Sequence, residues 1–194
     1  MIKMSLAMPT IFKTVLCGAL TALCFNVHAA KVPLEYSFDI GMSNITKDGE
    51  SLTGVTSRGR LNYYFTPFIA LDLSYTDTLS ISGDIHDNAN NTVTTMEYKA
   101  ISTGVKINQP VNKLINLYAA AGGAYSTVDE QIEDLGTNTK TKDSDSSIKP
   151  YANVGVSMNS PWQKGLQFSV DYTYQPLALD YTASYFSVGV HYGF

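Results

Sequence analysis

Four acids, Glu35, Asp39, Asp72 and Asp171, and four bases, Arg58, Arg60, Lys106 and Lys149, stand at alternate positions of segments that are otherwise largely apolar. Successive side chains of an extended strand point to opposite faces. Each of these charges therefore points away from neighbours such as Phe38, Ile40, Leu61, Leu71 and Val170. Charges on an enclosed face can pair and hydrogen-bond one another, as burial requires, or relay a proton or an ion. Equal numbers of the two signs suit pairing, so the expectation is a filled interior without a conductive path.

Residues for other chemistry are sparse. No Gly-x-Ser-x-Gly, His-Glu-x-x-His or phosphate-loop motif occurs. His191 falls on the charged face beside Gly189 and Gly193, whose small size is expected to make room for the ring. His86 lies in a polar stretch (GDIHDN), where one imidazole among flexible carboxylates makes a poor metal site. Asp129, Glu130, Glu133, Asp134, Asp143 and Asp145 do not follow the spacing of an EF-hand and read as a solvated surface loop. The expectation is no enzyme, no metal and no cofactor.

The elements that must position these residues begin after a leader. Lys3 and Lys13, without an acid, precede an apolar run at 15–25, and Val27 and Ala29 suit the −3 and −1 sites of a secretory signal peptide. Cleavage after Ala29 gives a signal at 1–29 and one domain at 30–194. Cys17 and Cys24 each follow Leu, which does not suit a lipoprotein signal, and both leave with the leader. The exported domain then has no disulfide. Losing Lys3 and Lys13 takes the formal charge from −4 to −6, which does not suggest a nucleic-acid partner. Charged residues make up 15% of the chain, against about 25% in soluble domains. After the leader no apolar run approaches the ~20 residues of a spanning helix. A membrane-spanning chain of this kind must be a closed barrel.

Eight alternating segments follow, at 34–43, 55–65, 68–76, 95–107, 115–127, 148–158, 166–174 and 186–194. In the last, Phe186, Val188, Val190, Tyr192 and Phe194 share one face. Thr66-Pro67, Pro110 and Ser160-Pro161-Trp162 mark short turns, while 44–53, 77–94, 128–147 and 175–181 read as polar loops. Short turns at one end and longer loops at the other is the layout of an outer-membrane barrel. Glu97 and Lys99 fall outward, which places them above the lipid or beyond a bulge. Outward tyrosines and Trp162 read as interfacial girdles. The fold class is all-β: an eight-stranded antiparallel up-and-down transmembrane β-barrel, after a cleaved signal peptide.

The leader, the eight segments and the terminal Tyr192-Gly193-Phe194 resemble the small outer-membrane β-barrel family, the outer membrane protein X, opacity-protein and outer membrane protein A barrel type. The resemblance is clearest at 118–125 (YAAAGGAY) and 185–194. It implies a monomer in the outer membrane of a Gram-negative bacterium, with both termini periplasmic and outer-membrane lipid and lipopolysaccharide around it. It also implies that Phe186, Val188, Val190, Tyr192 and Phe194 form the signal read by the barrel-assembly machinery. The expected role is structural or surface-interactive through the loops, with an unnamed surface ligand. A narrow channel or hydrophobic small-molecule carrier is the alternative, and a lipid A-modifying enzyme the third reading.

Overall fold

The computed structural model describes residues 34–47, 49–82, 85–87, 92–134, 136 and 139–193, with side chains at 79–92 excepted. The leader with Val27 and Ala29, Phe194 and the His86 side chain lie outside what is described. The strands are β1 (Leu34–Lys47), β2 (Glu50–Tyr64), β3 (Ile69–Ser82), β4 (Ile85–Asp87), β5 (Thr92–Pro110), β6 (Ile115–Asp134), β7 (Thr139–Asn159), β8 (Leu166–Pro176) and β9 (Thr182–Gly193).

Every neighbouring pair is antiparallel. The order β3-β2-β1-β9-β8-β7-β6-β5 closes on itself through a β3–β5 ladder. Short β4 pairs with β5 alone, outside the closed wall. The first and last described strands meet from Glu35↔Gly193 to Thr46↔Thr182, so the eight-stranded barrel has no edge in its lower part.

Strict alternation sets what each face meets. Phe38 is 56% exposed and Asp39 beside it 1%. Phe38, Ile40, Val105, Ile107, Val154, Val156, Val170, Phe186 and Val188 form a continuous outward apolar band. A patch of that size far exceeds what a protein in water exposes, and lipid is the solvent that suits it. Tyr36, Tyr63, Phe65, Trp162 and Tyr192 fringe the band at the short-turn end, and Tyr75, Tyr125 and Tyr174 toward the other. At the short turns one polar side chain satisfies two backbone donors: Thr66 Oγ1 accepts from Phe68 and Ile69, Asn112 Oδ1 from Leu114 and Ile115, and Ser160 Oγ from Trp162 and Gln163.

The strands run well past the apolar band, which corrects the loop assignments. The stretch 44–53 is a tight hairpin closing at Lys47↔Glu50, with Gly49 at φ 88°. The stretch 128–147 is mostly the β6–β7 ladder, paired out to Asp134↔Thr139. Polar composition suggested loops, but a ladder above the membrane needs only its backbone partners and suitable alternation, and water can solvate both faces. Glu97 and Lys99 keep an unbroken register with Asp129 and Thr127, above the band. The register irregularity lies in the β2–β3 ladder instead, where Val55 and Thr56 pair with Ser80 and Thr78 and β3 carries the extra residue.

Above the band the wall divides. The β3–β5 ladder ends at Asp77↔Lys99, and β7–β8 pairing ends at Ala152↔Tyr174. One group of strands (β8, β9, β1, β2, β3) and another (β4 to β7) then enclose an apolar core of Ile45, Leu52, Met96, Tyr98, Val128, Leu177, Ala178 and Tyr181. The turn at 177–181 folds into this core, with Leu179 and Asp180 at φ 55° and 60°. Lys47 of β1 reaches Glu130 of β6 at 3.3 Å, and Tyr181 donates to the same carboxylate at 2.7 Å, tying the two groups together.

Candidate functional site

The lower interior holds the charges. Asp171 in β8 is the hub: Arg58 Nη2 (2.7 Å) and Arg60 Nη2 (2.8 Å) both donate to it. Tyr118 OH (2.8 Å), Asn153 Nδ2 (3.0 Å) and Ser187 Oγ (2.6 Å) complete its shell. Asp39 in β1 takes Arg60 Nε and Nη2 in a fork (3.0 and 2.9 Å), with Arg58 Nε at 3.5 Å. The two arginines and two aspartates form a closed ring across β1, β2 and β8, every member at most 3% exposed apart from Arg60 at 4%. Buried charge is tolerated on such terms, because both carboxylates are held by guanidinium groups and most of the donors are bonded, Arg58 Nε being the exception.

A second centre lies nearer the short-turn rim. Glu35 accepts from Lys106 Nζ (2.7 Å), Asn62 Nδ2 (2.9 Å) and Tyr64 OH (3.4 Å). The fully buried His191 stands between the centres, with Nδ1 3.2 Å from Glu35 and Nε2 3.7 Å from Asp39. Asp72 takes the hydroxyl of Tyr151 (2.5 Å). Among the described residues no ion pair within 4.0 Å includes Asp72 or Lys149. Lys149 is half-exposed higher up the wall, where β7 has left β8. Thus seven of the eight charges singled out in the sequence come together, and four carboxylates face three fixed cations with the His191 ring between two of them.

The glycines play a different part from the one expected. A Cβ at Gly189 would collide with the Asp39 carboxylate rather than with His191, and one at Gly155 would meet the Tyr118 ring. At Gly193 the nearest atom to such a Cβ is the Gly165 oxygen at 4.0 Å. The room is made for the Asp39 carboxylate and the Tyr118 ring. Gly189→Ala is therefore expected to displace Asp39 from its fork and to cost about 1–3 kcal/mol. Thermal unfolding of the detergent-folded protein measures it, and an unchanged midpoint would remove this role.

Sequence reasoning missed Tyr118, Tyr151, Asn153 and Ser187 as members of the network. All share the inward parity of the charges, and that parity was the available signal. Ser37, opposite His191 in register, accepts from Arg60 Nε at 3.1 Å, while His191 turns to carboxylates. Among the described residues no three histidine, cysteine or acidic side chains converge as a metal would need.

The sequence matches the outer membrane protein beta-barrel domain over residues 15–194. The chain belongs to that family. Like the family's other members it is an outer-membrane protein.

Solved structures share the barrel's fold. Ail, the attachment invasion locus protein of Yersinia pestis, in complex with the heparin analogue sucrose octasulfate, superposes with a TM-score of 0.59 at 16% identity, covering 85% of this chain and 100% of that one. Neisserial surface protein A gives 0.62 at 15% identity over 83% and 97%. OprG of Pseudomonas aeruginosa gives 0.57 at 10% identity over 85% and 98%. At such identities the likeness is one of fold alone. No curated protein matches the sequence.

Proposed function

We propose that the barrel is a sealed, non-enzymatic surface protein of the outer membrane whose work is done by its extracellular strands. The observation that carries this is the double filling of the lumen. The charge network occupies the lower interior, and the apolar core of Ile45, Leu52, Met96, Leu177 and Tyr181 occupies the upper. An eight-stranded barrel is just wide enough for side chains to fill it. A narrow channel would need a continuous wet path. A hydrophobic carrier would need an open apolar lumen, whereas this one is closed by its own 177–181 turn. A lipid A-modifying enzyme would need reactive groups at the outer leaflet, and His191 sits at the opposite end.

On this reading residues 1–29 are removed on export and 30–194 form the barrel domain. The strand carrying Phe186, Val188, Val190, Tyr192 and Phe194 is what the assembly machinery recognises, and lipopolysaccharide surrounds a monomer. The crystallised partner of Ail is a polyanion. The outer strands here carry Asp129, Glu130, Glu133, Asp143 and Asp145, so a polyanion is not the ligand they suit.

The test is heat-modifiability followed by conductance. Unboiled protein is expected to run faster than boiled protein on SDS gels, and the folded fraction to give no steady current in planar bilayers. Reproducible channel steps from the folded fraction would sink the sealed reading.

A further inference from the structure

The short-turn rim exposes charge of one sign. Among the described residues there, Lys113 and Lys164 are the exposed charges, and no ion pair within 4.0 Å includes either. Glu35, the acid at that level, is buried and already holds Lys106. The β2–β3 turn, Thr66-Pro67-Phe68, has no cation. The two lysines therefore gather on one side of the rim.

The turns that bear them are braced. Asn159 N donates to the Leu114 carbonyl (2.7 Å) and Asn159 Nδ2 to the Lys113 carbonyl (2.9 Å), which joins the β5–β6 turn to the foot of β7. In the β7–β8 turn Gly165, at φ 82°, accepts the Gly193 N–H of β9 at 2.9 Å, and a Cβ there would strike the Gly193 carbonyl. Strands β6 and β8 flank β7, so the lysine backbones stand about two strand spacings apart, roughly 10 Å. Flexible four-carbon stems bring both ammonium groups to one anion across that gap. Trp162, 88% exposed on the same turn as Lys164, adds an indole N–H at headgroup level.

A groove opens above these turns, inside the apolar band. It encloses about 450 Å³ and is lined by Leu117, Val154, Val156, Val170 and Phe186, with Gly155 in its floor. Its lower row, Leu117–Val156–Val170, is in register across β6, β7 and β8. That row lies three residues from Leu114 and Asn159, roughly 10 Å at 3.3 Å per residue. Ile115, Met158 and Phe168 cover the interval with exposed apolar surface.

We propose that rim and groove together form a site for one anionic glycerophospholipid, its phosphate between Lys113 and Lys164 and one acyl chain in the groove. The inference rests on the reading above, in which the protruding strands lie outside the cell and the short turns meet the inner, phospholipid leaflet. An ammonium group is a point-charge partner for phosphate. Basic residues at a membrane surface each add attraction for anionic lipid. A zwitterionic headgroup offsets that attraction with its own amine, and a free phosphate has no chain for the groove to hold.

The experiment uses the full mature barrel, folded and freed of lipid in detergent, with its heat shift verified first. Phosphatidylglycerol or phosphatidylethanolamine of matched chains is added, and native mass spectrometry counts the lipids retained. One phosphatidylglycerol per barrel is expected to stay, held about tenfold more tightly than phosphatidylethanolamine. Lys113→Gln combined with Lys164→Gln should weaken it about tenfold, whereas Lys140→Gln with Lys142→Gln at the far end should change nothing. Val156→Trp fills the groove and should weaken retention with both lysines in place. Glycerol 3-phosphate, the headgroup chemistry without chains, should not compete.

Equal retention of the two lipids would reduce the site to the ordinary lipid belt and overturn the proposal. So would unchanged retention in the double lysine variant or in Val156→Trp, provided each keeps the heat shift. Competition by glycerol 3-phosphate would make it a free-anion site and overturn it too. Orientation is read separately, with a Gln163→Cys variant and a membrane-impermeant maleimide, and labelling is expected only after the outer membrane is permeabilised. Labelling on intact cells would end the reading above and the leaflet named here, while the lipid counts on purified barrel judge the site itself.

Discussion

Replacing Asp171 with alanine is expected to cost about 3–5 kcal/mol of folded-state stability. The carboxylate receives five donors, two of them guanidinium groups. Its removal leaves Arg58 and Arg60 crowding the single charge of Asp39 inside a dry interior. Most of the cost is that uncompensated positive charge. Asp171→Asn keeps the shape and loses the charge, so it should fall between alanine and wild type. Removing Arg58 together with Asp171 should cost less than the two single losses added, because the charges then leave in balance. Urea titration of the detergent-folded barrel, followed by the gel shift, gives these numbers. A loss below about 1 kcal/mol for the alanine variant would mean water enters the ring freely, and the network would then be no seal.

The second large effect concerns current. The network and the apolar core are two closures in series, so either alone should keep the barrel silent. Changing Asp39, Arg58, Arg60 and Asp171 together to serine removes the lower closure without orphaning a charge. Leu177→Ser with Tyr181→Ser opens the upper one. Each set is expected to show no resolved channel steps in planar bilayers, and the six changes together to show discrete openings. The heat shift on SDS gels verifies folding in every case. Should the four serines alone conduct as well as all six changes, the upper core does not seal the lumen.

Much of the lower barrel was legible because a strand in lipid obeys two constraints at once. The outer face must be apolar and the inner face must satisfy itself, so parity alone placed Asp39, Arg58, Arg60, Lys106 and Asp171 inside. The same parity included Lys149, yet parity carries no height. Lys149 sits where the wall has already divided, and nothing in its spacing says so. Tyr118 and Tyr151 escaped for a related reason: a tyrosine reads as an interfacial ring unless its hydroxyl is known to have a buried acceptor. The upper core was hidden because Ile45 and Leu52, Met96, and Leu177 come from three separate stretches that look polar when read one at a time. Only the pairing brings their apolar members to one place. The length of β6 and β7 was hidden likewise, since a solvated hairpin needs no apolar face.

The membership of the charge ring has a kinetic consequence. Asp39 lies on β1, Arg58 and Arg60 on β2 and Asp171 on β8, with β9 and its His191 between β1 and β8, so the ring straddles the seam where the two ends of the barrel meet. Glu35 and His191, in contact across that seam, are 156 residues apart in the chain. Contacts so remote in sequence form late in folding. Until then the arginines and aspartates remain hydrated on an open sheet. Zipping the seam and stripping their water are one event, and the forked bonds form in the same stroke. Run backwards, the seam cannot part without breaking those bonds before water arrives to replace them. Closure therefore behaves as a ratchet, slow to engage and much slower to release.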